Sequence, residues 1–175
     1  MKFKALTAVL LALVILLPNH VPVAQAEIQF PKAAKTNADE KTLAEFRAFY
    51  DEIEKALKEE DAGKIMSFYA DDYLHHGITK KQLKFMWLEV FGAFSDLYSV
   101  HIFTEITIHG DDAILVCTGG LFGIAKGNKD YTTVDQWVTQ NHWLTKVGGK
   151  WKMIGGATHF APRKRGSRLE LHPFF

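Results

Sequence analysis

Residues Ser99 to His109 read SVHIFTEITIH, and their period decides the fold class. Val100, Ile102, Thr104, Ile106 and Ile108 alternate with Ser99, His101, Phe103, Glu105, Thr107 and His109. A period of two is that of a half-buried strand. Upstream the period is longer. Leu43, Phe46, Tyr50, Ile53 and Leu57 recur at spacings of three and four, with Glu45, Glu52, Lys55, Lys58 and Glu59 off that stripe. Such a stripe predicts an amphipathic helix, and Thr42-x-x-Glu45 predicts its start by a capping box. Asp61 predicts the N-cap of a shorter helix carrying Ile65, Met66, Phe68 and Tyr69. Thr79-x-x-Gln82 opens a third, striped by Leu83, Trp87, Val90, Phe91 and Phe94. Downstream, turns at Gly110-Asp111-Asp112, 127–130 and Gly148-Gly149 separate strands of about 113–125, 131–147 and 150–160. Gly119-Gly120 predicts a bulge or bend in the first of these. Helices followed by long strands on short turns give an α+β domain: an antiparallel sheet with three N-terminal helices on one face.

The N-terminus predicts export. Lys2 and Lys4 precede an apolar run from Ala5 to Leu17, too short for a comfortable membrane span, and Ala24-Gln25-Ala26 supplies small residues for cleavage before Glu27. Residues 1–26 are therefore expected to be a signal peptide, and the mature chain periplasmic or secreted, without a transmembrane helix. Its length of about 150 residues suits one domain. Residues 27–40, with Pro31 and no periodicity, are expected to be an extended or mobile leader. The single cysteine, Cys117, excludes an internal disulfide and lies in an apolar run, as a buried core residue would. Acidic and basic residues nearly balance, which argues against a general nucleic-acid binder. The basic stretch Arg163 to Arg168 is local, in a tail spanning 162–175. Thirteen phenylalanines fit an apolar cavity for a small apolar or aromatic ligand.

Three stretches carry a family resemblance. They are the helix running into Glu60-Asp61-Ala62-Gly63-Lys64-Ile65-Met66-Ser67-Phe68-Tyr69, the segment Tyr73-Leu74-His75-His76-Gly77, and the final hairpin from His142 to Ile154. Over about residues 41–161 the chain resembles the NTF2-like superfamily, in particular its SnoaL-like and ketosteroid-isomerase-like branch. The resemblance implies a curved, mainly antiparallel sheet wrapped around the three helices as a cone, with a cavity between them. It also implies a homodimer formed through the exposed sheet face, for which His101, Phe103, Glu105 and Thr107 are the candidate residues. The family holds isomerases, dehydratases, cyclases and hydrolases as well as plain binding domains, so the fold does not choose a function.

Candidate chemistry gathers in three places. Asp72 and His76 are the expected inward members of Asp71-Asp72-Tyr73-Leu74-His75-His76, a carboxylate and an imidazole suited to acid/base work. The competing reading is a helix terminus with solvent-facing histidines. His159 ends the face that runs from Trp151 through Met153, Gly155 and Ala157, where it lines a cavity or is a satisfied core residue. The strand 131–147 offers two faces, one with His142, the other with Asp135, Trp137 and Asn141, and the alternation does not choose between them. Tyr50, Tyr69 and Trp87 are the wall candidates on the helix side. No H-x-x-x-H or H-E-x-x-H spacing, P-loop or dinucleotide fingerprint is present, so neither metal nor cofactor is expected.

Overall fold

The computed structural model describes residues 27–156 and 174. The expected signal peptide 1–26, His159 and the basic tail, Phe174 excepted, lie outside the described residues. In chain order the elements are β1 (Glu27–Gln29), β2 (Lys35–Thr36), α1 (Glu40–Lys58), α2 (Ala62–Ser67), β3 (Leu74–His75), β4 (Ile78–Thr79), α3 (Lys80–Ala93), β5 (Phe94–His109), β6 (Asp112–Ala125), β7 (Tyr131–Val147) and β8 (Lys150–Met153). One sheet runs β1-β5-β6-β7-β8, and β2 also pairs with β5. The β5-β6-β7-β8 ladder is antiparallel, whereas β1 and β2 lie parallel to β5. This is the α+β architecture that the change of period predicts. The segment before α1 is extended and paired rather than loose. Among the described residues no helix is long and apolar enough to cross a membrane.

Two of the three predicted helix starts hold. Asp61 accepts from the Lys64 amide at 2.9 Å, and Thr79 with Gln82 forms a complete capping box. The first helix starts earlier than expected. Asp39, not Thr42, is its N-cap and accepts from the Thr42 amide at 2.8 Å. An aspartate outranks threonine at this position. On α1 the stripe of Phe46, Tyr50, Ile53 and Leu57 is buried, together with Phe49 and Glu54.

Two bulges set which strand residues face the helices. In β5, Phe103 pairs with Cys117 and Glu105 with Val116, so Thr104 is extra and the alternation changes phase. Ser99, His101 and Phe103 point inward and are fully buried, as is Ile106 beyond the bulge, while Glu105 is exposed. This overturns the expected dimer face: His101 and Phe103 belong to the core. In β7, Trp137 pairs with Gly119 and Gln140 with Cys117, so Val138 and Thr139 together oppose Thr118, with Thr139 at φ 53°. Trp137 and His142, on opposite faces by simple alternation, therefore both turn inward. Gly119 makes the fit possible. A Cβ there would lie 1.9 Å from the Val100 carbonyl oxygen and 3.1 Å from the Trp137 ring.

Candidate functional site

Glu54 follows Tyr50 by four residues on α1, so both side chains lie on the face turned to the sheet. Only 6% of Glu54 is exposed. Its two oxygens accept from the Ser99 amide at 3.1 and 3.2 Å, and one also accepts from the Ser99 hydroxyl. The same hydroxyl lies 2.9 Å from His101 Nε2. On the other side of that ring, Nδ1 is 3.6 Å from Cys117 Sγ, which accepts from Trp137 Nε1 at 3.2 Å. Beside this run, the Tyr50 hydroxyl meets His142 Nδ1 at 3.0 Å. The rings pack together: His101 is 4.6 Å from Tyr50 and 5.1 Å from Trp137, centroid to centroid. A connected polar run thus crosses from the flank of α1 to the middle of the sheet, walled by aromatics.

Burial decides the protonation states. It pushes the Glu54 carboxyl up to about 7, against the opposing hydrogen bonds from Ser99 and the charge of Lys58. It holds His101 well below the usual imidazole range, and neighbouring His142 adds to that. It pushes the Cys117 thiol up to about 12, although the Trp137 hydrogen bond acts the other way. Tyr50 is raised well above its ordinary value by the same desolvation. His101 is accordingly a neutral imidazole, with one donor and one acceptor nitrogen. Because the Ser99 hydroxyl donates to Glu54, it accepts from His101 Nε2–H, and the Nδ1 lone pair is turned to Cys117. Glu54 also borders an open cleft of about 600 Å³ lined by Ile28, Arg47, Asp51, Lys55, Lys58 and Glu59. The cleft therefore joins β1 to the flank of α1, with three cations and the carboxylates Asp51 and Glu59 around the desolvated Glu54.

The structure divides the expected site residues. Tyr50, Trp137 and His142 come together here. Tyr69 and Trp87 are buried elsewhere: Trp87 Nε1 donates to the Tyr69 hydroxyl at 3.2 Å, and that hydroxyl donates to the Phe174 carbonyl. Asp135 is half-buried, and its Oδ1 accepts from the Gln136 amide at 2.9 Å. Asp72 is exposed, so the expectation that it faces inward is corrected. The paired expectation for His76 is corrected too. His76 and Gly77, at φ 47° and 84°, form the two-residue turn of the β3–β4 hairpin, where His76 is only half-buried and packs edge-on against His75. His75 is the buried one, and its Nδ1 accepts from the Gly156 amide at 2.9 Å. Glu54 and Ser99 are not among the sequence candidates, and His101 is one only for the dimer face. A signal existed in Glu54, which stands between Ile53 and Leu57 inside an otherwise apolar arc.

No family model and no curated protein matches this sequence. Solved structures do match in fold. A conserved protein from Planctomyces limnophilus superposes with a TM-score of 0.56 at 13% identity, over 67% of this chain and 94% of that one. A ketosteroid isomerase-like protein from Erwinia carotovora atroseptica gives 0.50 at 20% identity, over 67% and 94%. Bd1075 of Bdellovibrio bacteriovorus gives 0.51 at 15% identity over 66% of this chain, which spans only 40% of that larger protein. The chain has the NTF2-like fold, as its order of elements implied.

Proposed function

We propose that the protein is exported and binds a small molecule in its NTF2-like domain, working on it by acid/base chemistry with Glu54 as the group that holds and moves the proton. The carrying observation is Glu54 itself: a carboxyl poised at about 7 beside an open cleft. A desolvated carboxyl that exchanges its proton near neutral pH is what general acid/base catalysis asks for. Arg47, Lys55 and Lys58 suit a ligand with an acidic group, and Ile28 suits its apolar body. The reaction class is an isomerisation, dehydration, cyclisation or hydrolysis; one structural neighbour is described as ketosteroid isomerase-like. The expected small apolar or aromatic ligand is compatible with this reading if it also carries an acidic group.

The test is native mass spectrometry of protein recovered from the exported fraction, beside a denatured control. The denatured mass reads cleavage before Glu27. An organic adduct that is lost on denaturation, and weakened in Arg47→Ala, supports the reading. A clean mass in the wild type, together with unchanged ligand-screen responses in Arg47→Ala and Glu54→Gln, rejects it. A homodimer is the second reading, supported by Val138 and Tyr131 on β7, which are 68% and 41% exposed. A sedimentation mass that stays monomeric at high concentration retires it.

A further inference from the structure

We propose that His101, Cys117 and His142 form a metal site for one thiophilic first-row ion, zinc or copper, at the centre of the sheet. One nitrogen of each imidazole and Cys117 Sγ all lie within 4.8 Å of one another, and all three residues are buried. They stand on three adjacent strands, β5, β6 and β7, and the bulges described above turn them to a common face. This inference does not depend on the cleft reading: its three ligands are other side chains, with Glu54 entering only behind Ser99, and either can fail alone.

The donor set is selective. One sulfur and two imidazole nitrogens favour zinc or copper over magnesium or calcium, which take oxygen ligands. The spacing fits as well. Bonds of about 2.0 Å to nitrogen and about 2.3 Å to sulfur at tetrahedral angles place the two donors roughly 3.5 Å apart, and His101 Nδ1 stands 3.6 Å from Cys117 Sγ. Each imidazole is also oriented from behind, as metal-ligating histidines are. His101 is fixed through Nε2 by Ser99, which is held in turn by Glu54. His142 is fixed through Nδ1 by Tyr50, so it would ligate through Nε2. The Trp137 N–H already points at the sulfur, where it would stabilise a thiolate.

Binding is a ligand exchange without a redox change. The Cys117 S–H bond breaks, its proton leaves to solvent, and the sulfur lone pair bonds the ion. Because the ligands meet only when three strands pair, loading accompanies folding.

Cobalt(II) is the test probe, added both to the folded chain and during refolding from denaturant. The expected result is one ion per chain with a thiolate-to-cobalt charge-transfer band, displaced by zinc. Copper(II) should give its own intense sulfur-to-copper band. Cys117→Ser should lose the thiolate band, and His142→Gln should bind at least tenfold more weakly. Ser99→Ala, which removes the contact behind His101 together with the hydroxyl's bond to Glu54 and leaves all three ligands in place, should keep the band and lose roughly tenfold in affinity. The wild-type spectra need no variant to fold. Correctly folded wild-type chain that shows no thiolate band by either route overturns the proposal, and so does Cys117→Ser binding with unchanged affinity.

Discussion

Glu54 is the residue where sequence, packing and chemistry meet. An unfolded chain ionises this carboxyl near 4.5, whereas the folded chain keeps its proton up to about 7. Between those values the folded state binds more protons, so stability falls as pH rises. Glu54's contribution is fully present below about pH 4.5 and is lost by about pH 7. The loss amounts to about 3 kcal/mol at about 1.36 kcal/mol per unit. His101 acts in the opposite direction, because its neutral form is favoured in the fold and that stabilisation fades as pH falls through its unfolded value. The difference between variant and wild type therefore isolates the carboxyl. The urea midpoint of the wild type relative to Glu54→Gln should decline between pH 4.5 and 7; a difference that stays constant over that range would refute the assignment. Tyr50→Phe removes the hydroxyl that meets His142 in a buried setting. It should cost about 1–3 kcal/mol, read as a lowered midpoint with unchanged slope.

Helix caps and strand bulges are where the elements departed from a simple reading. Asp39→Ala should lower the thermal midpoint, and Thr42→Ala should leave it nearly unchanged, because only the Asp39 side chain accepts from the first turn. The reverse order would restore Thr42 as the cap. Gly119→Ala puts a methyl group against the Val100 carbonyl, where β5 cannot yield without breaking its pairing with β6. A loss of about 3 kcal/mol or more, by chemical denaturation, is expected. Thr139 holds a left-handed backbone that a β-branched residue resists. Thr139→Gly should therefore be neutral or stabilising by about 1 kcal/mol. A clear loss on that substitution would mean that the bulge is held by the threonine side chain rather than by the register.

Across the whole molecule, the first ten described residues matter more than their composition suggests. Glu27, the expected first residue after cleavage, is also the first residue of β1 and pairs with Val100. Phe30 stacks on Phe103 at 5.0 Å, with the Arg47 guanidinium 4.6 Å above its ring, and Ile28 lines the cleft. The segment thus covers the edge of β5 and closes one side of the proposed site. Removing residues 27–36 should lower stability and weaken any cleft ligand together. Loss of neither would show that the edge strands are incidental.

Much of this was legible in the chain itself. The switch from a period near 3.6 to a period of two is real, although β5 begins at Phe94, which the helical stripe includes, rather than at Ser99, and β7 occupies the expected stretch Tyr131–Val147. Local rules suffice there, because hydrophobic spacing and turn residues act within a few positions. Tyr50, Trp137 and His142 were legible as candidates, but their meeting was not. Alternation cannot see a bulge, and each bulge here reverses the facing of every residue beyond it until the next. So His101 passed for a surface residue, and Trp137 and His142 passed for residues of opposite faces. The sequence alone determined the class of fold, the order of its three helices and four long strands and most of the core, but not the short strands β1 to β4. Only the tertiary structure decided which polar residues are buried together, because that depends on register between strands far apart in the chain, and burial among those partners is what shifts the proton affinity of Glu54.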